Sequence, residues 1–157
     1  MEHSKLLLFT ALLIISACNL ATAEPPARGE PTAPSSTGHS LANTQWMLKS
    51  FGSASVEQMV AEKSPITLKF EAGDRAGGSG GCNSYGSNYQ VQGNRLSFGP
   101  ILSTKRACLE DALTQQEQQY FRALESAGTF TLTDDRLTIF SQDGRSVLNF
   151  VKTSSAR

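Results

Sequence analysis

The side chains able to do chemistry here are few: cysteines at 18, 82 and 108, histidines at 3 and 39, and the adjacent carboxylates Glu110-Asp111 and Asp134-Asp135. A nucleophilic relay of the Ser–His–Asp or Cys–His kind needs an imidazole beside the nucleophile. His3 precedes an N-terminal apolar run and His39 ends a proline-rich stretch, where it reads as a solvated linker residue, so that chemistry lacks its base. Asp134-Asp135 falls between two strand-like segments and Glu110-Asp111 just ahead of a helix-like one, where turn geometry and the helix macrodipole account for both pairs. A metal site needs clustered His, Cys, Asp or Glu. The sequence therefore implies no catalytic residue, no metal and no cofactor. With Lys+Arg at 14 and Asp+Glu at 14, no net charge favours nucleic acid. Lys105-Arg106 is a two-residue basic spot that reads as a solvated loop.

The stretch Gly77-Gly78-Ser79-Gly80-Gly81-Cys82-Asn83-Ser84-Tyr85 invites a test as a phosphate cradle. A P-loop needs a Lys after its glycines, and a dinucleotide fingerprint must open a helix. Here no Lys follows, and the next residues, through Tyr89, are strand-like. The glycines instead predict a bulge or a close backbone crossing, with Cys82 and Asn83 at the corner. Tyr85 and Tyr89, with Asn83 and Asn88, form a polar-aromatic cluster suited to an interface. Their spacing favours a core role, since Tyr85, Ser87, Tyr89 and Val91 share one strand face.

The elements that must position these residues follow from periodicity. Alternating apolar and polar residues predict strands at Trp46–Phe51, Ile66–Phe70, Arg75–Gly78, Ser84–Val91, Arg95–Phe98, Thr129–Thr133, Arg136–Ser141 and Ser146–Val151. Gln92-Gly93-Asn94, Asp134-Asp135 and Asp143-Gly144 read as hairpin turns, so neighbouring strands are expected to be antiparallel. Leu109, Leu113, Tyr120, Phe121 and Leu124 recur at helical spacing, with Tyr120, Phe121 and Leu124 expected toward the sheet and Gln115, Gln118, Gln119, Arg122 and Glu125 on the wet face. Thr114-Gln115-Gln116-Glu117 predicts a capping box that starts the helix, and Gly128 a stop. The expected fold is α+β: a curved antiparallel sheet, closed at most into an incomplete barrel, with one helix inserted before the last three strands.

The N-terminus reads as an address. Leu6 to Ile15 is an apolar run too short to span a bilayer but of signal-peptide length. Ile15-Ser16-Ala17-Cys18 then resembles the lipobox of bacterial lipoproteins, which predicts a signal over 1–17 and lipidation of Cys18. Asn19 resembles the sorting class of the outer membrane, with the domain facing the periplasm. Residues 18–40 hold four of the six prolines and no aromatic residue, the composition of a tether. A domain over 41–152 and an unstructured end over 153–157 complete the expected organisation.

The order of Trp46 and Leu48, then Gly78, Gly81, Cys82, Asn83 and Tyr85, then Gly93, Leu96 and Phe98, then Thr104, Ala107 and Cys108, and a helix with Glu117, Phe121 and Leu124 resembles the META domain of the heat shock protein HslJ family. One departure is Arg106, where the family usually has Met. The resemblance implies a bacterial envelope protein, often a lipoprotein, tied to stress or antibiotic tolerance and without established catalytic residues. With Cys18 lipidated, Cys82 and Cys108 remain as an even pair in an oxidising compartment and are expected to form a disulfide. The expected function is a non-enzymatic, monomeric lipoprotein that is held on the membrane by its lipid anchor and binds another envelope protein. Two alternatives stay open: an apolar-ligand carrier, which needs a cavity in a partly open barrel, and an inhibitor of an envelope hydrolase, for which the Phe51–Pro65 connector is the best loop.

Overall fold

The computed structural model of the protein describes residues 40–53, 55–61 and 63–153. The expected signal, the lipidated Cys18, the tether with His39 and residues 154–157 lie outside the described residues. In chain order the elements are β1 (Thr44–Ser53), β2 (Val56–Met59), β3 (Thr67–Phe70), β4 (Arg75–Ser79), β5 (Ser84–Gln92), β6 (Arg95–Phe98), β7 (Leu102–Ser103), α1 (Asp111–Glu125), β8 (Ala127–Leu132), β9 (Arg136–Ser141) and β10 (Val147–Lys152).

Every strand pairing is antiparallel, and eight strands form a ring in the order β1-β3-β4-β5-β6-β8-β9-β10. The ring closes where β10 returns to β1, from Trp46 opposite Lys152 to Gly52 opposite Val147. The barrel is thus closed, where the sequence suggested an incomplete one. Closure joins the two ends of the domain, a contact that leaves no local periodicity to read. The narrowest join is between β6 and β8, where Arg95 opposes Thr129 and the Phe130 N–H donates to the Asn94 carbonyl at 2.9 Å. β2 and β7 lie off the ring, on β1 and β5.

Alternation sets which residues fill the barrel. Leu68 and Phe70 of β3, Leu137 and Ile139 of β9, and Leu148 and Phe150 of β10 point inward and are buried, while Lys69 between the first pair is exposed. Trp46 and Leu48 of β1 and Leu96 of β6 join them. Fully burying one such side chain contributes about 1.5–3 kcal/mol. The helix lays Tyr120 and Leu124 onto this interior, and the Tyr120 ring meets Tyr85 of β5 at 5.7 Å and Phe150 of β10 at 6.5 Å. Gln115, Gln118, Gln119, Arg122 and Glu125 face water as their spacing predicts.

Three local expectations are corrected. The helix starts at Asp111, a turn before Thr114, and Glu110 at its N-cap makes no side-chain capping bond. The capping box is not used, because the Glu117 carboxylate is turned onto another segment. The helix ends at Glu125, ahead of Gly128; this glycine lies in β8 at a register shift against β9, where a Cβ would come within 2.7 Å of the Gln142 Cα. The Phe51–Pro65 connector contains β2, which pairs with β1 from Ser53 opposite Val56 to Ser50 opposite Met59.

Candidate functional site

The family-motif residues converge where the β4–β5 hairpin meets the helix. Ser79 opposes Ser84, so Gly80-Gly81-Cys82-Asn83 is the hairpin loop, drawn tight by the Gly80 N–H donating to the Asn83 carbonyl at 2.7 Å. The glycines have steric reasons. A Cβ at Gly78 would overlap the Thr67 carbonyl oxygen, and one at Gly80 would sit 2.7 Å from the Phe121 ring and 2.9 Å from Glu117. Gly78 thus lets β3 lie close to the hairpin, and Gly80 lets the helix approach the loop.

Glu117 is the centre of this contact. It is 6 % exposed, and its Oε2 accepts the Asn83 N–H at 2.6 Å and the Cys82 N–H at 3.2 Å. Its Oε1 accepts from Asn83 Nδ2 at 2.8 Å. Asn83 in turn uses Oδ1 to accept from the Thr104 hydroxyl at 2.9 Å and the Arg106 N–H at 2.8 Å. One buried amide therefore joins hairpin, helix and the loop before the helix. Buried polar groups need such partners, and Glu117 and Asn83 find theirs within the domain.

Cys82 and Cys108 are disulfide-bonded, with Cα atoms 5.8 Å apart. The bond staples the same two loops that Asn83 joins. Arg106 explains its own departure from the family pattern: its backbone N–H serves Asn83, so the motif at this position does not depend on the side chain. The guanidinium adds a bond to the Cys82 carbonyl at 2.8 Å. Ala107, exposed, lies between these contacts. Gly81, with φ of +103°, turns the loop toward them.

The structure thus brings together Gly78, Gly81, Cys82, Asn83, Thr104 and Cys108, and adds Glu117 and Gly80. The sequence signal for Glu117 was present but pointed to a capping box. Cys82, Cys108 and Glu117 also form the one cluster of three metal-ligating side chains among the described residues, with ligand atoms within 4.8 Å. Sulfurs bonded to each other offer no thiolate to a metal. As it stands, the arrangement is a staple with a hydrogen-bonded clamp.

Tyr85 and Tyr89 are buried and Asn88 is exposed, so the tyrosines serve the core. Val91, at the same periodicity, is 41 % exposed. The Tyr85 hydroxyl donates to the Thr67 carbonyl at 3.0 Å and lies 2.6 Å from the Tyr120 hydroxyl, which must donate to it. Burial pushes both phenols up from 10.0; the neighbouring Tyr85 raises Tyr120 further, while the bond to Tyr120 partly offsets the shift at Tyr85. An unfolded chain ionises both near pH 10 while the folded barrel keeps them protonated. Stability from this pair is therefore complete below pH 10 and lost as the pH rises above it, at about 1.4 kcal/mol per phenol per pH unit. Urea unfolding from pH 9 to 11.5 should show this decline, and the Tyr85→Phe/Tyr120→Phe double variant should flatten it. An equal decline in the variant would remove the tyrosines as its cause.

The model of the META domain family matches residues 39–154. Among solved structures, a protein from Burkholderia xenovorans determined by NMR superposes with a TM-score of 0.62 at 24 % identity, covering 80 % of this chain and 99 % of that one. A DUF4847 family protein from Bacteroides vulgatus superposes with a TM-score of 0.53 at 12 % identity, over 71 % of this chain and 93 % of that one. These likenesses show the fold alone. Comparison with curated proteins finds no match.

Proposed function

The chain belongs to the META domain family, and from that premise we propose that it is a non-enzymatic envelope lipoprotein whose domain binds another envelope component. The observation that carries this reading is the Cys82–Cys108 bond, which closes the site by oxidation and suits an exported protein. Its reactive atoms are spent on structure: both sulfurs are bonded, and the Glu117 carboxylate is occupied by three N–H donors. Cys18 carries the lipid, 18–40 is the tether, and the outer membrane facing the periplasm is the location. The role is stress or antibiotic tolerance.

The alternatives are less favoured. A carrier needs an interior cavity, whereas Trp46, Phe70, Tyr120 and Phe150 are buried together in one core cluster. A hydrolase inhibitor needs a protruding loop, and the connector after Phe51 is a short hairpin. Metabolic labelling with a fatty-acid probe tests the anchor: label is expected on the full chain and lost in Cys18→Ala. A chain that stays unlabelled, or a variant that keeps the label, overturns it. Cross-linking in the native envelope then tests the binding role, and failure to capture any partner across stress conditions would overturn that part.

A further inference from the structure

A closed barrel has no sheet edge, but this one carries an added strand that does. β2 pairs with β1 only, and all four of its residues are exposed, Val56 at 61 % and Met59 at 72 %. Its position is held on several sides. A Cβ at Gly52 would overlap the Val56 carbonyl oxygen, so the hairpin depends on that glycine. The Val56 N–H donates to Ser53 Oγ at 3.1 Å, and the Ala61 N–H donates to Gln116 Oε1 of the helix at 3.2 Å. Glu57 accepts from the Ser50 hydroxyl and from Asn149 Nδ2, which turns its charge onto β1 and β10. Residues 56–59 contain no Pro and no Lys, the usual guards of an edge.

The Val60 N–H donates to the Lys49 carbonyl at 3.2 Å, and β1 and β2 run in one unbroken register. Antiparallel pairing alternates bonded and non-bonded positions. The backbone groups of Val56, Gln58 and Val60 therefore face β1, and those of Glu57 and Met59 face outward. We propose that this edge pairs with β2 of a second copy of this chain, antiparallel about a two-fold axis at Gln58.

The choice of partner and register follows from the side chains. Because outward groups must oppose outward groups, the two-fold axis can lie only on single residues. Centred on Glu57, it sets two carboxylates directly opposite, which is unfavourable. Centred on Met59, it pairs fewer residues of β2. Centred on Gln58, it sets Glu57 opposite Met59, amide opposite amide, and Val56 opposite the half-buried Val60, with no like charges facing. Such a two-fold contact is self-complementary, as dimer interfaces are. Five residues a side, 56–60, make a small interface, so the dimer is weak and concentration-dependent. It differs from the monomer expected from the sequence.

Cysteine scanning of the full-length chain in the membranes of expressing cells tests the pairing. A non-bonded pair brings Cα atoms to about 4.5 Å, within disulfide reach. Under mild oxidation, Gln58→Cys should give about ten-fold more covalent dimer than Gln90→Cys on the exposed face of β5, with the parent chain as background. Val56→Cys and Val60→Cys should link to each other when co-expressed and not to themselves. Met59→Pro removes an outward N–H and no bond to β1, and its fixed φ and the extended conformation it favours at position 58 suit a strand, so added to Gln58→Cys it should abolish the dimer without changing thermal unfolding. Equal dimer at Gln58→Cys and Gln90→Cys, persistence with Met59→Pro, or capture of a different protein by Gln58→Cys overturns the proposal.

Discussion

Replacing Glu117 with Ala should lower the unfolding free energy by about 3–5 kcal/mol, the range of a buried group whose loss strands several donors at once. The Cys82 and Asn83 N–H groups and Asn83 Nδ2 would each lose the acceptor they now share. Asn83 would then be free to rotate, and its bonds to Thr104 and Arg106 would weaken with it. Glu117→Gln keeps the shape and one carbonyl acceptor but aims an NH₂ at a site full of donors, so it should cost about 2 kcal/mol. Trp46, the one tryptophan and 1 % exposed, reports unfolding in a denaturant titration. Costs below about 1 kcal/mol for both variants would mean that water replaces the carboxylate and that the clamp is not structural.

That the larger effect sits on Glu117 shows where sequence reading succeeds and where it stops. Most of the barrel strands were legible because they have a wet and a dry face, as in Thr67-Leu68-Lys69-Phe70, and because Gly93 and Gly144 take positive φ in the turns expected of them. β2 was not legible, since a strand exposed on both faces, such as Val56-Glu57-Gln58-Met59, has no alternation to detect. β7 is too short at two residues to carry a period.

The site was legible as residues and misread as roles. Gly78, Gly81, Cys82, Asn83, Thr104 and Cys108 stood out as a motif, and the disulfide followed from an even count of cysteines. Thr114-x-x-Glu117 fits a capping box by spacing alone. Which donors a carboxylate serves is a tertiary question: the loop offers three N–H groups 34 and 35 residues away, and they outcompete the helix's own first turn. Gly80 is one of the glycines for which a close crossing is expected, but what it must admit is the helix, a partner no local pattern names.

Removing the staple with Cys82→Ser/Cys108→Ser should cost about 3.5 kcal/mol, from the chain entropy of a 26-residue loop. The folded domain should survive, because Asn83 still joins the hairpin to Thr104, Arg106 and Glu117 without the sulfurs. The loss then belongs to the unfolded state, which expands when the loop is opened, so the denaturant slope should rise as the midpoint falls. This signature separates the staple from the clamp, since Glu117→Ala acts on the folded state and should leave the slope unchanged. Because the staple acts on the unfolded chain and the clamp on the folded one, the combined variant should lose the sum of the two costs to within about 0.5 kcal/mol. A domain of this size has about 5–15 kcal/mol to lose, which puts the combined variant at the edge of folding. A departure from the sum by more than about 1 kcal/mol would mean that the two devices are coupled within the folded domain; an unchanged slope would place the disulfide's contribution in the folded barrel.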